Sequence, residues 1–243
     1  MDAVDSEDGE GEVESASDSL TNNNALSLNA LSLNALNPEA LISIQDPGPD
    51  GALARQALRY IVSCGLDSTG SFSFSWTDDA GTLHAETYEG LLGLTPHWKT
   101  GPLMGVDGQW ISACLAARVN WYGLPVQLSI RGTNRTLKKP GDDELTLYTT
   151  REGAFWGDLF SGSPAVYACY EPSSADHARE LHRDCAAGHL DPQGGVSGCG
   201  IIQIVGPCAD VCQNPHLERG YYSMCGASGA PAHRSEAITV FLQ

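Results

Sequence analysis

Residues 109–122 have the sequence Gln-Trp-Ile-Ser-Ala-Cys-Leu-Ala-Ala-Arg-Val-Asn-Trp-Tyr, and this apolar stretch decides the fold. Its apolar side chains recur at the three- and four-residue spacing of a helix. Two adjoining helix faces are apolar, one with Trp110, Cys114, Ala117 and Trp121 and the other with Ile111, Leu115 and Val119. A helix that is apolar over so much of its surface is a buried helix. We therefore expect the rest of the domain to pack around it.

The sequence before this stretch predicts a second helix and a hairpin. Residues 52–63 place their apolar side chains on one helical face. Residues 71–76 alternate between serine and aromatic side chains, and residues 78–81 have the composition of a turn. Residues 82–88 can then form the returning strand of an antiparallel hairpin.

The sequence after it predicts short strands bounded by turn residues. These strands are expected at residues 126–131, 144–149, 165–170, 200–205 and 238–242. A third helix is predicted to begin after Ser173 or Ser174 and to end at Gly188. Strands that follow one another without regular intervening helices predict an α+β domain with a mainly antiparallel sheet and two to three helices, and disfavour a doubly wound sheet.

Acidic residues dominate the charge of the chain and crowd its N-terminus. The 243 residues include 30 Asp and Glu against 13 Lys and Arg, for a net charge of −17. Residues 1–50 hold 11 of the acidic residues and no Lys or Arg, so the rest of the chain is only mildly acidic. Nucleic acids and anionic membrane surfaces are bound by basic patches, and no such patch is visible in the sequence. We therefore expect neither of them as a partner.

Composition divides the chain into three parts. Residues 1–23 have too little apolar surface to offset the entropy cost of ordering and are predicted to be a disordered acidic tether. Residues 24–50 contain a five-residue Asn-Ala-Leu-Ser-Leu repeat and a Pro/Gly-rich linker. Its two to three copies are too few to form a coil of their own, so we expect an apolar strip against the main domain, or a linker. Residues 51–243 are predicted to form one globular domain.

The cysteines bear on the compartment of the protein. Their number is even, and six of the eight lie in the last third of the chain among many Gly and Pro residues. This density predicts a disulfide framework and an oxidising, extracytoplasmic location, with the pairing left open. The predicted disulfide cysteines are Cys64, Cys114, Cys169, Cys185, Cys199, Cys208, Cys212 and Cys225.

The N-terminus does not have the composition of a signal peptide, because it is acidic where a secretory signal is basic. An extracytoplasmic location therefore leads us to expect that a signal segment, or the lipidated cysteine of a bacterial lipoprotein, preceded Met1. No run of 18 apolar residues occurs, so we predict no membrane span, although a lipid anchor is compatible with such an acidic leader.

Cys114 is a candidate nucleophile. It follows Gln109 in a stretch that loosely resembles the Gln and Cys of papain-like proteases, but that family spaces its Gln differently and places its Cys at a helix N-terminus. Cys114 lies about one turn inside the predicted helix. A thiolate nucleophile also needs an electropositive, partly exposed site. The competing interpretations are a disulfide between the first two helices and a buried free thiol.

Three residues are candidate zinc ligands. His182, Cys185 and His189 would share one face of a continuous helix and offer the nitrogen and sulfur ligands that zinc prefers. However, a glycine is expected to end the helix before His189, and Arg179 and Arg183 crowd the face that a cation would approach. We therefore favour a solvated polar helix with Cys185 in a disulfide, and we predict no cofactor.

Aromatic residues next to glycines form the candidate binding surface. They are Trp121, Tyr122, Phe155 and Trp156. Such rings can stack on a sugar or a peptide, and large aromatic residues are also common in the core of a disulfide-rich domain. Both interpretations remain open from the sequence.

Several segments together resemble a known group of proteins. They are the Asn-Ala-Leu-Ser-Leu leader and residues 53–60 (LARQALRY), 110–120 (WISACLAARVN), 151–157 (REGAFWG) and 205–212 (VGPCADVC). This set resembles a family of uncharacterised secreted proteins and lipoproteins of myxobacteria. The resemblance covers most of the chain from residue 24 onward. It implies an extracytoplasmic compartment and no particular activity.

Two functions follow as hypotheses. The first is a secreted or surface-anchored binding module without catalysis, whose partner is a protein or glycan at the cell surface. The alternative is a cell-envelope hydrolase that uses Cys114 or a metal near His182. The first is favoured because no candidate nucleophile has a visible base at a recognisable spacing. A count of free thiols separates the two, because a cysteine hydrolase must keep one.

Overall fold

The computed structural model describes residues 26–27, 40–101, 103, 105–226 and 235–243. The predicted tether at residues 1–23 lies outside these residues, as does most of the five-residue repeat. The helices are α1 (Ala40–Ser43), α2 (Pro49–Gly65), α3 (Gly105–Arg118), α4 (Asp142–Leu147), α5 (Ala175–Glu180) and α6 (Cys208–Val211). The strands are β1 (Leu26–Ser27), β2 (Ser71–Thr77), β3 (Leu83–Glu89), β4 (Val119–Asn120), β5 (Ser129–Gly132), β6 (Thr150–Asp158), β7 (Ala165–Tyr170), β8 (His189–Leu190), β9 (Val196–Ser197), β10 (Ile202–Pro207) and β11 (Ile238–Leu242).

The largest sheet has five strands in the order β10-β7-β6-β11-β5. Three of its four strand pairs are antiparallel, and only β10 and β7 run parallel. The β2–β3 and β8–β9 pairs form separate antiparallel hairpins. The α+β class with a mainly antiparallel sheet is therefore confirmed. Two long helices, α2 and α3, accompany it, and the other α-helices of the described residues have four to six residues.

Helix α3 is the buried helix that the sequence predicts. It packs across β6 and β11 of the large sheet. Ile111 and Leu115 of α3 are completely buried in the main core together with Phe155 of β6. Burying three such side chains contributes several kcal/mol, at roughly 1.5–3 kcal/mol each, so this helix–sheet contact is a principal source of stability.

The end of α3 differs from the prediction, because the helix stops at Arg118 and not at Tyr122. Asn120 explains the difference. Its side-chain Oδ1 accepts hydrogen bonds from the backbone N–H groups of Tyr122 and Leu124, each at 3.0 Å. An asparagine side chain that bonds to the backbone two residues later offers the chain a turn in place of a further helical turn. Residues 119–120 instead form β4, which pairs in parallel with β1.

Helix α2 packs against α3, and the β2–β3 hairpin packs against α2. The serines of β2 are exposed, and the aromatic side chains between them are partly buried. Phe72 and Phe74 pack there on a small core that includes Val62 and Tyr88. The hairpin and its alternation are confirmed.

One segment was assigned the wrong element from the sequence, and one long strand was missed. Residues 144–149 were predicted as a strand, but most of them belong to α4, which begins with three acidic residues that favour a helix N-terminus. Strand β6 was not predicted. It is buried on both faces, so its sequence lacks the alternation that marks a half-buried strand. At Gly153, a Cβ atom would lie 2.1 Å from the backbone oxygen of Cys169 on β7, so a glycine is required where the two strands approach.

The third predicted helix is also shorter than expected. Helix α5 ends at Glu180, because His182 adopts the left-handed backbone conformation, with φ of 59°. The chain then turns inward, and the side chain of Arg183 is completely buried.

All eight cysteines form disulfide bonds. The pairs are Cys64–Cys114, Cys169–Cys208, Cys185–Cys199 and Cys212–Cys225. The first joins α2 to α3, and the others lie in the C-terminal part of the domain. Such a set of disulfides is typical of proteins from an oxidising compartment. In the part of the chain that the structure describes, no helix combines the length and apolarity needed to cross a membrane.

Candidate functional site

Four rings meet beyond the end of α3, and we call Trp121, Tyr122, His182 and His189 the aromatic–histidine patch. The rings of Trp121 and His189 are stacked, with 4.2 Å between centroids and an interplanar angle of 5°. The Tyr122 ring lies edge-on to His182 at 4.9 Å and to His189 at 5.8 Å. The structure thus brings two of the predicted binding residues together with the two histidines that were considered as zinc ligands.

The turn after β4 positions the two aromatic side chains. Asn120 fixes this turn through the hydrogen bonds described above, and Gly123 closes it with φ of 63°. A residue with a Cβ atom adopts that conformation only at a cost, so glycine is favoured there. Trp121 is partly buried, whereas 46% of Tyr122 is exposed.

A buried arginine brings the histidine segment to the same place. The Arg183 guanidinium donates hydrogen bonds to the backbone oxygens of Val119 at 2.6 Å and Ala117 at 2.8 Å. Ala117 is in the last turn of α3, where carbonyls lack helical partners, and Val119 directly follows the helix in β4. Arg183 also donates to the carboxylate of Glu152 on β6, and both side chains of this pair are completely buried. Because His182 precedes Arg183 directly, the same anchor holds the histidine segment against Tyr122.

The Glu152 carboxylate depends on its partner. Its removal from water raises its pKa, and the nearby Arg183 charge and hydrogen bonds oppose that rise. The pair therefore needs both members to keep a charge inside the domain.

Asp184 orients the imidazole of His189. The two side chains are in hydrogen-bond contact, with 2.6 Å between His189 Nδ1 and Asp184 Oδ2. A carboxylate accepts, so Nδ1 carries the proton, and Nε2 is then an acceptor in the neutral ring and a donor in the protonated ring. Asp184 is only 2% exposed, and its Oδ1 has no hydrogen-bond partner among the described residues.

One exposed apolar side chain lies in the same turn as Tyr122. Leu124 follows Tyr122 in the turn and is 45% exposed. Leu190 and Val196 pair in the β8–β9 hairpin and are also exposed, but strand alternation places them on the face opposite to His189. The surface therefore combines an exposed ring, an imidazole oriented by Asp184 and a neighbouring exposed leucine.

The other two predicted binding residues do not belong to this surface. Phe155 is 0% exposed and Trp156 is 1% exposed. They follow one another in β6, whose two faces are both covered, so each side chain enters a different part of the core. Their assignment to a binding surface is wrong, and the core interpretation holds for both.

Cys114 is not an available nucleophile in this structure. Its sulfur is bonded to Cys64, and the residue is completely buried. Of the interpretations that the sequence left open, the disulfide between the first two helices is the one observed.

The three candidate zinc ligands are not brought together as a metal site. Cys185 is bonded to Cys199, and the helix that would align it with His182 and His189 ends earlier, at Glu180. Among the described residues, two groups of potential ligand atoms lie within 4.8 Å of one another: Cys169, Cys212 and Cys225, and Asp184, Cys185 and Cys199. Their cysteines are all in disulfides and lack the thiolate that binds a metal.

Sequence reasoning missed Glu152 and Asp184 and treated Arg183 as a surface charge. The His189–Asp184 contact spans five residues, so an Asp in the same loop was a usable signal. The contact between Arg183 and Glu152 spans 31 residues, and no local pattern indicates it.

Comparisons of the chain with protein-family models, with curated proteins and with solved structures found no match. The function proposed for the patch therefore rests on its geometry.

Proposed function

We propose that the protein is an extracytoplasmic binding module that contacts a glycan through the aromatic–histidine patch, without catalysis. The observation that carries this proposal is the half-exposed ring of Tyr122 beside the oriented imidazole of His189. A sugar ring has apolar C–H faces and a rim of hydroxyl groups. An exposed aromatic ring with fixed hydrogen-bonding groups at its side complements both parts.

The chemistry of the patch favours a glycan over a protein partner. An apolar protein surface would desolvate His182 and the Nε2 of His189 without offering either of them a hydrogen-bond partner. Sugar hydroxyls can donate to an imidazole nitrogen or accept from it. The same histidines therefore favour a hydroxylated ligand.

The disulfides support the proposed compartment. Four bonds in one domain persist only where thiols are not kept reduced, so we place the protein outside the cytoplasm, as a secreted, periplasmic or outer-surface module. The resemblance to secreted proteins and lipoproteins of myxobacteria supports the same location.

Binding is favoured over the alternative of a cell-envelope hydrolase. That alternative relied on Cys114 or on a metal near His182. Cys114, the candidate nucleophile, and Cys185, the candidate zinc ligand, are both in disulfide bonds.

A glycan array tests the proposal directly. The full chain, produced with its disulfides formed, should bind one class of glycan, and the bound glycan should release no reducing ends on prolonged incubation. The proposal is overturned if no glycan on an array of bacterial and plant polysaccharides is bound, or if reducing ends accumulate.

A further inference from the structure

We propose that a second site, distinct from the aromatic–histidine patch, binds a small ligand through a single oxyanion group: a carboxylate, a phosphate or a sulfate. The site is a cleft of about 650 Å³ whose walls include α2, β3 and the turn that follows Tyr122. Small-molecule sites commonly have volumes of about 300–1,000 Å³, so the cleft has room for a ligand of monosaccharide size or larger. Two arginines, Arg59 and Arg118, line it.

Arg118 supplies a fixed positive charge. It is the last residue of α3 and is only 4% exposed. Its Nη1 donates to Ser63 Oγ at 2.9 Å, and its guanidinium carbon lies 4.6 Å from the centroid of the Tyr60 ring. Ser63 and Tyr60 both belong to α2, so the second helix holds the guanidinium at the cleft wall. Burial lowers the Arg118 pKa to about 10, which leaves the group cationic at neutral pH.

Arg59 supplies a second, adjustable positive charge. Its side chain is 65% exposed, and its guanidinium lies over the Tyr88 ring at 5.1 Å. Its ion-pair partner is Glu86, whose Oε2 lies 3.9 Å from Arg59 Nη2. The Arg59 side chain is itself exposed and 3.9 Å is a long distance for an ion pair, so Arg59 can turn toward a ligand. Guanidinium groups bind planar or tetrahedral oxyanions through paired N–H donors.

The remaining lining residues limit the kind of ligand. Thr87 and Gln56 add polar groups that can bond to hydroxyls. Glu89 also lines the cleft, and its carboxylate repels a second negative group. These residues favour one oxyanion on an otherwise uncharged, hydroxylated body.

The proposed site is positively charged, whereas the chain as a whole is strongly negative. A net charge of −17 repels small anions, so an anion is attracted only where cationic groups are brought together locally. The sequence shows no basic patch because Arg59 and Arg118 lie on different helices. Only the packing of α2 on α3 brings them to one cleft.

Calorimetric titration of the full chain tests this inference. The probes are D-glucuronate, inorganic phosphate and inorganic sulfate, with D-glucose as the neutral control and sodium chloride at matched ionic strength. We expect saturable binding of one ligand per chain for at least one of the three anions, and none for glucose. Absence of saturable binding for all three anions overturns the proposal.

Matched variants locate the site. Arg59→Gln should weaken anion binding at least tenfold, whereas Arg135→Gln, the same loss of charge at an exposed arginine outside the cleft, should leave it unchanged. Arg118→Gln should abolish binding, and if that variant does not fold, the comparison of the Arg59 and Arg135 variants decides. Tyr122→Ala should retain anion binding, which separates this site from the patch. Equal affinities in the Arg59 and Arg135 variants would place the anion elsewhere.

Discussion

The guanidinium of Arg183 and the carboxylate of Glu152 form a completely buried ion pair, with 3.0 Å between Nε and Oε2. The pair joins the loop of His182 and His189 to β6, while the same guanidinium bonds to the carbonyls of Ala117 in α3 and Val119 in β4. It therefore connects the core of the domain with the surface that we propose to bind a glycan.

Removal of Arg183 should strongly destabilise the protein. Arg183→Met leaves the Glu152 carboxylate buried without a partner, and breaking a buried pair in this way costs about 3–5 kcal/mol. Urea unfolding measures the loss. The double variant Arg183→Met/Glu152→Gln should be more stable than Arg183→Met alone, because no charge is then left unpaired. A loss below about 1 kcal/mol for Arg183→Met would contradict the role of the pair.

The disulfides should differ in how much they stabilise the domain. Cys64–Cys114 closes a sequence separation of 50 residues and Cys212–Cys225 one of 13. Loop-closure entropy gives about 4 and about 3 kcal/mol for these two, so the paired Cys→Ala variant of the first should unfold at the lower urea concentration. The unreduced native protein should show no alkylatable thiol by intact mass. Four or more thiols, or the opposite order of stability, would be incompatible with the observed pairing.

Truncation to alanine should lower the free energy of unfolding far more at Trp156 than at Tyr122. Trp156→Ala removes a side chain that is 1% exposed and should cost roughly 3–5 kcal/mol. Tyr122→Ala should cost less than about 1 kcal/mol, because nearly half of the residue faces solvent. Chemical unfolding of the two variants tests this. Similar losses would mean that the ring of Tyr122 belongs to the core.

Asp67 should titrate at unusually low pH. Its carboxylate accepts hydrogen bonds from the Thr69 hydroxyl and from Lys99 Nζ, and these lower its pKa to about 2. Because the folded pKa is lower than the unfolded one, the stabilising contribution is present above the unfolded value, near 3.9, and is lost as the pH falls toward 2. Thr69→Val and Lys99→Ala should each raise the pKa in an NMR titration of the Asp67 carboxyl carbon. Titration curves identical to the wild type in both variants would refute the assignment.

The parts of the fold that the sequence predicts are those marked by local patterns. The apolar spacing of residues 109–122 predicts α3, and the strict alternation of residues 71–76 predicts the hairpin. Strand β6 was missed because burial on both faces removes the alternation, and the same burial turns Phe155 and Trp156 into core residues.

Only part of the candidate site could be predicted from the sequence, because the rest depends on contacts between residues far apart in the chain. Trp121 and Tyr122 stand out in the sequence as aromatic residues beside a glycine. Their contact with His189 depends on the turn that Asn120 stabilises and on the buried side chain of Arg183. Arg183 in turn bonds to Glu152 of β6, which is 31 residues away in the sequence. Contacts of this kind are set by packing, so residue spacing does not reveal them.

Binding by the Tyr122→Ala variant tests the proposed function most directly. The glycan bound best on the array would be titrated calorimetrically into the wild type, Tyr122→Ala and the control Leu217→Ala, which truncates a fully exposed leucine that is not part of the patch. The account predicts at least a tenfold loss of affinity for Tyr122→Ala, with an unchanged melting temperature, and wild-type affinity for Leu217→Ala. Equal affinities for the two variants would show that the glycan binds elsewhere and would contradict the account.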